Sequence, residues 1–388
     1  MPSSVNTVLI VSASIGSGHT QAANAIKAEF QRQHPHSRAV VVDFLEGYNF
    51  SLANFVKEIY LKMIYNFPFM YDLLYRWSQD QRQGTMASSL MSWVLRRRMA
   101  RLIAYYKPDL LVLTHPFPCG AACHLKRKGL ITIPLAGVIT EYAVHRLWIY
   151  AEVDTYFVAA PPMAQILTEQ GVSAERAIIT GIPVDSAFSQ VTRQPAERAQ
   201  SGQPTILVMG GGLGLGALEE VLLQLDTMPG NHKFTVVTGH NEALRKELQS
   251  LSSRLNHQAS VLGYTKRIPE LMASADLLVT KPGALTCSEA MVAGLPMVLV
   301  NAIPGQEEDN AAYLQNHGAA LWVRDQKQLP VVVTQLLENP AQLAAMRSHA
   351  CRLGRPNAAG YIVRHLTGGQ DPFDQLGPIL PASPVPFG

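Results

Sequence analysis

Short apolar runs alternate with longer amphipathic stretches along most of the chain, the signature of strands that alternate with helices. The runs Val8–Ser12, Val40–Asp43, Leu110–Thr114, Ile131–Ile139, Tyr156–Ala159 and Ala177–Thr180 predict strands in the first half. Thr205–Met209, Phe234–Thr238, Leu277–Thr280, Met297–Val300 and Ala320–Val323 predict strands in the second. Unbroken apolar strands are covered on both faces, and strands separated by helices pair in parallel, so the fold class is α/β. The pattern lapses over 191–204, a polar stretch with two prolines, which reads as a linker. It separates an N-terminal domain, 1–190, from a C-terminal domain, 205–356. Residues 357–388 read as a C-terminal crossover segment and a tail; nine of the last 22 residues are Gly or Pro, so the tail is expected to fray.

Composition narrows the class. At 388 residues and 47% apolar the chain is too long for one ordinary core and too apolar for disorder. A net charge of only +3 excludes a bulk polycation built for nucleic acid. The basic excess is local, with 12 Lys/Arg against 4 Asp/Glu over 57–128. Four cysteines make no disulfide framework, and a reducing cytoplasm is the expected home. No charged segment precedes the Val8–Val11 run, and nothing approaches the roughly 20 apolar residues of a spanning helix. The expectation is a soluble or membrane-surface protein.

Each half opens with a strand that runs into a glycine turn. VSASIGSGH at 11–19 places Gly16 and Gly18 before a helix, where free N–H groups and the helix dipole favour an anion. His19 at that helix start is biased toward the neutral imidazole that a general base needs; a capping or phosphate-contacting role suits the position as well. MGGGLGLG at 209–216, with Gly211 and Gly212, is rich enough in glycine to imply close approach to a phosphate or a facing domain. Further on, Lys281-Pro282-Gly283 ends a strand and Thr286 and Glu289 follow on the next helix. A carboxylate at Glu289 can accept both hydroxyls of a ribose, while Thr286-x-x-Glu289 equally matches a capping box. Gln306, Glu307, Glu308, Asp309 and Asn310 crowd the start of another helix, as dipole matching or as a grip on sugar hydroxyls.

Together, VSASIGSGH at 11–19, MGGGLGLG at 209–216, LGYTKRIPELMASADLLVTKPGALTCSEAMVAGLPMVLV at 262–300 and PGQEEDNA at 304–311 resemble the glycosyltransferases that make glycosyl-diacylglycerols. The group includes bacterial processive diacylglycerol glucosyltransferases and plant monogalactosyldiacylglycerol synthases, and the resemblance spans about 5–355. It implies a GT-B fold: two facing Rossmann-like domains with a cleft between them. The implied reaction is inverting transfer of a hexose from a UDP-sugar to 1,2-diacylglycerol, with no cofactor and no catalytic metal. Glu289 matches the ribose-binding glutamate, Gln306 and Glu307 the pair at the sugar hydroxyls, and Gly263–Tyr264 the backbone contact to uracil. His19 matches the histidine of the first glycine loop. Glu141 stands where the bacterial branch carries Asp in T-D-F-x-x-H-x-x-W, and His145 and Trp148 complete that segment on the acceptor side. Glucose is favoured over galactose because this segment resembles the glucosyl branch. The rivals are a lipid II-type N-acetylglucosaminyltransferase, a sugar-nucleotide epimerase on the same fold, or a non-catalytic UDP-sugar-binding regulator.

Two features complete the expectations. His115, Cys119 and Cys123 repeat at four-residue spacing, with His124 directly after, but the ligand spacing of zinc sites is absent, so no metal is expected. The stretch 48–107 mixes aromatic residues with Arg96, Arg97, Arg98 and Arg101, a composition suited to anionic lipid at the headgroup level. That places the protein in the cytoplasm, peripheral on the inner face of the cell membrane. Expected partners are UDP-hexose, diacylglycerol and anionic lipid, with no nucleic acid.

Overall fold

The computed structural model describes residues 5–14, 17–46, 95–191, 203–212, 214 and 217–369. Gly16, most of the aromatic stretch 48–107, most of the predicted linker and the tail from 370 lie outside the described residues. The chain divides into two compact units. One takes its described residues from Met1–Asp185, Ile303–Gln306 and Asn357–Ile379, the other from Ser186–Ala302 and Glu307–Pro356.

Each unit is built on a six-stranded, all-parallel sheet. In the first, β1 (Thr7–Ser12), β2 (Arg38–Asp43), β3 (Leu110–Leu113), β4 (Leu135–Val138), β5 (Thr155–Val158) and β6 (Ala177–Ile179) lie in the order β2-β1-β3-β4-β5-β6. In the second, the strands are β7 (Thr205–Met209), β8 (Lys233–Val237), β9 (Gln258–Leu262), β10 (Leu277–Thr280), β11 (Met297–Leu299) and β12 (Ala320–Trp322). Their order, β12-β11-β10-β7-β8-β9, is that of a doubly wound nucleotide-binding sheet. The order reverses between β1 and β3 in one unit and between β7 and β10 in the other. Two Rossmann-like units result, as the alternation of runs predicts.

Strands β3 and β10 are buried at every residue, which is why their sequences read as unbroken apolar runs. Strand β9 escapes the sequence pattern. It lies at a sheet edge, and Gln258 and Ser260 are exposed between half-buried neighbours. The predicted run Ile131–Ile139 contracts to Leu135–Val138, beginning directly after Pro134, which has no N–H for a ladder.

One device recurs where strands begin. The first N–H of a parallel strand needs a partner outside the ladder. Asp276, one residue before β10, accepts from Thr205 N at 2.9 Å and donates its own N–H to Thr205 O at 2.8 Å. Asp109, before β3, grips Thr7 in the same way at 2.8 and 2.9 Å. Asp154, before β5, grips Leu135 at 2.7 and 2.9 Å. Each aspartate thus fixes the register of a neighbouring pair at its N-terminal edge.

The first unit is completed by a segment that follows the second in the sequence. In helix Ala358–Leu366, the side chains of Ile362, Val363 and Leu366 are fully buried in one cluster with Val8, Ile26 and Phe30. Gln33 Nε2 donates to Gly360 O at 3.3 Å across the same contact. Among the described residues no helix is long and apolar enough to cross a membrane.

The buried latch at Asp276, only 3% exposed, yields a direct test. Asp276→Ala strands the Thr205 N–H and should lower the unfolding free energy by about 1–3 kcal/mol in urea denaturation. Asp276→Asn keeps an acceptor oxygen and should lose less.

Candidate active site

In the first unit the chemistry gathers where the strand order reverses. Strand β1 leads through the glycine turn into helix Gly18–Gln33, whose Ala22, Ile26 and Phe30 are buried at successive turns. Ser17 is the N-cap, so His19 sits in the first helical turn, half-buried. Its Nδ1 lies 2.9 Å from Thr114 O and 2.7 Å from Thr140 Oγ1, at the ends of β3 and β4. Thr114 O can only accept, so the Nδ1–H donates and Nε2 carries the lone pair. Thr114 Oγ1 donates back to His19 O at 3.1 Å. Burial pushes the imidazole pKa down to about 4, against the upward pull of the Thr114 carbonyl. The result is a neutral ring, locked in one tautomer, with a basic nitrogen left over.

His115 packs edge-to-face on His19, with ring centroids 4.7 Å apart at 76°. Its Nδ1 accepts from Phe117 N at 3.2 Å and so caps helix Pro116–Arg127. Burial first, and then the neighbouring His19, hold its pKa well below the ordinary histidine value. Cys119 and Cys123 are buried on that helix. Among the described residues no group of three or more His, Cys, Asp or Glu side chains could hold a metal ion. Glu141 directly follows Thr140, at the same sheet edge as His19, and is half-buried. His145 Nδ1 accepts from Leu147 N at 3.1 Å, and Trp148 is buried with its carbonyl taking the Tyr156 hydroxyl at 2.7 Å.

In the second unit the turns after β7 and β10 meet at the other reversal. Lys281 reaches from the β10 turn across the first glycines: a Cβ on Gly211 would lie 3.6 Å from its Cε, and one on Gly283 3.7 Å from its Nζ. Its ammonium pairs with Glu307, and both side chains are largely buried. Asn310, fully buried, donates from Nδ2 to Pro282 O at 3.1 Å. Helix Gln306–Asn316 is thereby tied to the Lys281–Gly283 turn by an ion pair and a hydrogen bond, one helical turn apart. Breaking one partner of such a buried pair is costly, because the other charge is left desolvated.

The capping-box alternative at Thr286 is not realised. Helix Ala284–Val292 has Gly283 as its N-cap with no side-chain cap bond, so Thr286 and Glu289 both lie inside the helix. Both are half-buried, and the N–H groups of the first turn, which have no partner within the helix, begin at Ala284. The glycine-rich turn after β7 owes part of its composition to its own unit. At Gly214, φ is +62° and a Cβ would lie 2.3 Å from Thr238 O. Next to it His240 N donates to Gly212 O at 3.0 Å. The His240 ring stacks on Tyr264 at 4.1 Å and 17°, with Tyr264 53% exposed and Gly263 against Arg245. His240, Thr114 and Thr140 carry no sequence signal beyond their positions at strand ends.

The four arginines of the basic helix, residues 95–106, separate by face. Leu95, Met99 and Leu102 are buried, whereas Arg97, Arg101 and Tyr105 are exposed on the opposite side. Arg98 turns inward and donates to Glu46 O, and Arg96 is half-buried.

The depressed histidines make stability depend on pH. Below about pH 6.5 the unfolded chain takes up protons at His19 and His115, while folded His19 stays neutral until about pH 4. The unfolded state therefore binds more protons, and stability should fall as the pH drops from 6.5 toward 4. Urea midpoints at pH 7 and pH 5 measure the effect, and His19→Gln should flatten it by up to one proton.

Comparison with known proteins identifies the family and the fold. The monogalactosyldiacylglycerol (MGDG) synthase family profile matches residues 19–184, and the glycosyltransferase family 28 C-terminal domain matches 205–360. Processive diacylglycerol beta-glucosyltransferases of Bacillus mycoides (strain KBAB4) and Bacillus cereus (strain B4264) are each 33% identical over 362 residues, 92% of both chains. Among solved structures, Acinetobacter baumannii MurG aligns over 94% of this chain and 99% of its own, with a TM-score of 0.61 and 18% identity. Anabaena Alr3699/HepE in complex with UDP and glucose aligns over 94% and 100%, with a TM-score of 0.57 and 17% identity. These structural likenesses establish the GT-B fold. Identity of one residue in three along nine-tenths of both sequences establishes more: the chain belongs to the family of glycosyl-diacylglycerol-forming glycosyltransferases.

Proposed function

We propose that the protein transfers a hexose, glucose in the first place, from a UDP-sugar to the free hydroxyl of 1,2-diacylglycerol with inversion, giving a β-glycosyl-diacylglycerol. The observation that carries the reading is the neutral, tautomer-locked imidazole of His19 in a chain whose relatives are diacylglycerol beta-glucosyltransferases. The acceptor oxygen attacks the anomeric carbon from the face opposite UDP. Its proton passes to Nε2 of His19, the glycosidic bond to UDP breaks, and the electron pair leaves on the diphosphate. A base of low proton affinity suits a late transfer, and the approaching diphosphate raises that affinity.

On the donor side, Glu289 takes the ribose hydroxyls, and Gly263 and Tyr264 border the uracil. The N–H groups of the turn at Gly211 and Gly212, and those of the first turn of helix Ala284–Val292 after Gly283, serve the diphosphate, with the Lys281 ammonium beside it. Gln306 and Glu307 hold sugar hydroxyls; Thr286, Pro282 and Asn310 shape the turn. Glu141, His145 and Trp148 serve the acceptor side. The relatives' processive action supports a second step, in which the glycosylated product returns as acceptor.

The enzyme works at a membrane surface, on the cytoplasmic face. Arg97 and Arg101, with Tyr105 at 78% exposure and Leu130 at 67%, supply charge and apolar contact for anionic lipid. Arg98 serves the fold through Glu46.

Two substitutions separate the roles. Glu289→Ala should weaken UDP binding by roughly 2–3 kcal/mol in calorimetry, since it removes a charge-assisted contact to two hydroxyls. His19→Ala should leave UDP affinity intact and lower kcat by about 10²–10⁴-fold. Release of UDP from UDP-glucose on addition of diacylglycerol vesicles is the assay. No release by the wild type, or near-normal turnover by His19→Ala, defeats the activity or the base respectively.

At the membrane, Arg97→Ala combined with Arg101→Ala should weaken co-sedimentation with anionic vesicles by about tenfold or more, at about 1 kcal/mol per charge. High salt should erase the difference. Equal pelleting of both proteins at low salt would show that these arginines form only a solvated face.

A further inference from the structure

The connections after β7, β8 and β9 leave one edge of the second sheet side by side, and the middle one is bonded to both neighbours. Thr238 N donates to Leu262 O at 2.9 Å, which joins the end of β8 to the end of β9. On the other side His240 N donates to Gly212 O at 3.0 Å. Gly239, between Thr238 and His240, has a φ of +59°, and a Cβ there would overlap Gly212 O. The turn after β8 thus meets the glycine turn backbone to backbone, and its position against that turn is fixed.

The residues after β9 are held differently. β9 is the edge strand of its sheet, so no further strand flanks them on the outer side. Among the described residues no hydrogen bond reaches Gly263 or Tyr264. The Tyr264 ring, 53% exposed, instead lies nearly flat on the ring of His240, with centroids 4.1 Å apart and 17° between the planes. Gly263 sits against the Arg245 side chain, where a Cβ would come within 3.0 Å of Cδ. His240 therefore spans the gap, with its backbone bonded to the glycine turn and its ring under Tyr264.

Fixed spacing matters to a base that is read by backbone groups. Uracil offers a C4 carbonyl and an N3–H, whereas cytosine offers an amino group and a bare N3 in their place. A backbone donor beside a backbone acceptor suits uracil and mismatches cytosine, and the discrimination fades when the segment that carries them can shift.

We infer that His240 is a positioning residue for the base of the donor: through its stack on Tyr264 it holds Gly263–Tyr264 at a set distance from the glycine turn, and so sets the preference for uracil. The inference rests on the proposed donor site. His240→Ala removes the ring and keeps the backbone bond to Gly212, while His240→Phe restores a ring for Tyr264 without the imidazole. Calorimetry with UDP, CDP and inorganic pyrophosphate reads the two ends of the site. His240→Ala should weaken UDP binding by about three- to tenfold, the worth of an aromatic pair, and lower the preference for UDP over CDP by about threefold. Pyrophosphate should bind as it does to the wild type, and His240→Phe should recover both UDP affinity and preference. Wild-type affinity and preference in His240→Ala overturn the inference, as does an equal loss of all three ligands, which a purely structural role would produce. Weaker pyrophosphate binding with the UDP preference intact makes His240 a phosphate contact and overturns it as well. A loss in His240→Phe as large as in His240→Ala rules out the stack. Failure of the wild type to bind UDP defeats the donor-site reading itself.

Discussion

In a parallel sheet every strand ends at the same edge, and where the strand order reverses, two successive connections leave on opposite faces. Backbone N–H groups and strand-end side chains then converge on one gap. Both units of this protein place their candidate site residues there. Between β1 and β3 the gap holds His19, with carbonyl and hydroxyl oxygens from the ends of β3 and β4 on its Nδ1. Between β7 and β10 it holds the glycine turn and Lys281. The aspartate latches act at the opposite edge. They hold Thr7, Thr205 and Leu135 to their neighbours at the start of the strands.

Electrostatics at the two gaps run in opposite directions. Desolvation keeps His19 neutral, so the site holds a lone pair without a charge. Lys281 instead brings a charge beside the glycine turn, and the Glu307 carboxylate that tethers the helix start pairs with it in a largely buried contact.

Much of this was legible in the chain. Apolar runs buried on both faces, such as β3 and β10, announce themselves because no residue in them meets water. The glycine turns and the Lys281–Glu289 segment were legible because only a few residue types permit such turns. Edge strand β9 was not, since one side of it is wet and its polar residues break the pattern. Nor could spacing decide between a capping box and a helix-borne carboxylate at Glu289. That depends on where the helix begins, and Gly283 takes the cap. Thr114 and Thr140 meet His19 from 95 and 121 residues away, a pairing that only the sheet order creates. The basic helix was visible as charge, but its division into an inward Arg98 and outward Arg97 and Arg101 follows from which face Leu95, Met99 and Leu102 bury.

The last helix carries a consequence for how the protein is made. Ile362, Val363 and Leu366 fill a core whose other members run from Val5 to Phe157 and emerge from the ribosome long before them. At roughly 5–20 residues per second, the second unit's intervening stretch holds that early core open for some tens of seconds. During this time the nascent first sheet shows an uncovered apolar face, while the second unit can close as soon as its own strands are out. Synthesis therefore finishes the later unit before the earlier one. Chaperones that shield apolar surface on nascent chains would find their target in the first half, on the side where helix Ala358–Leu366 finally docks.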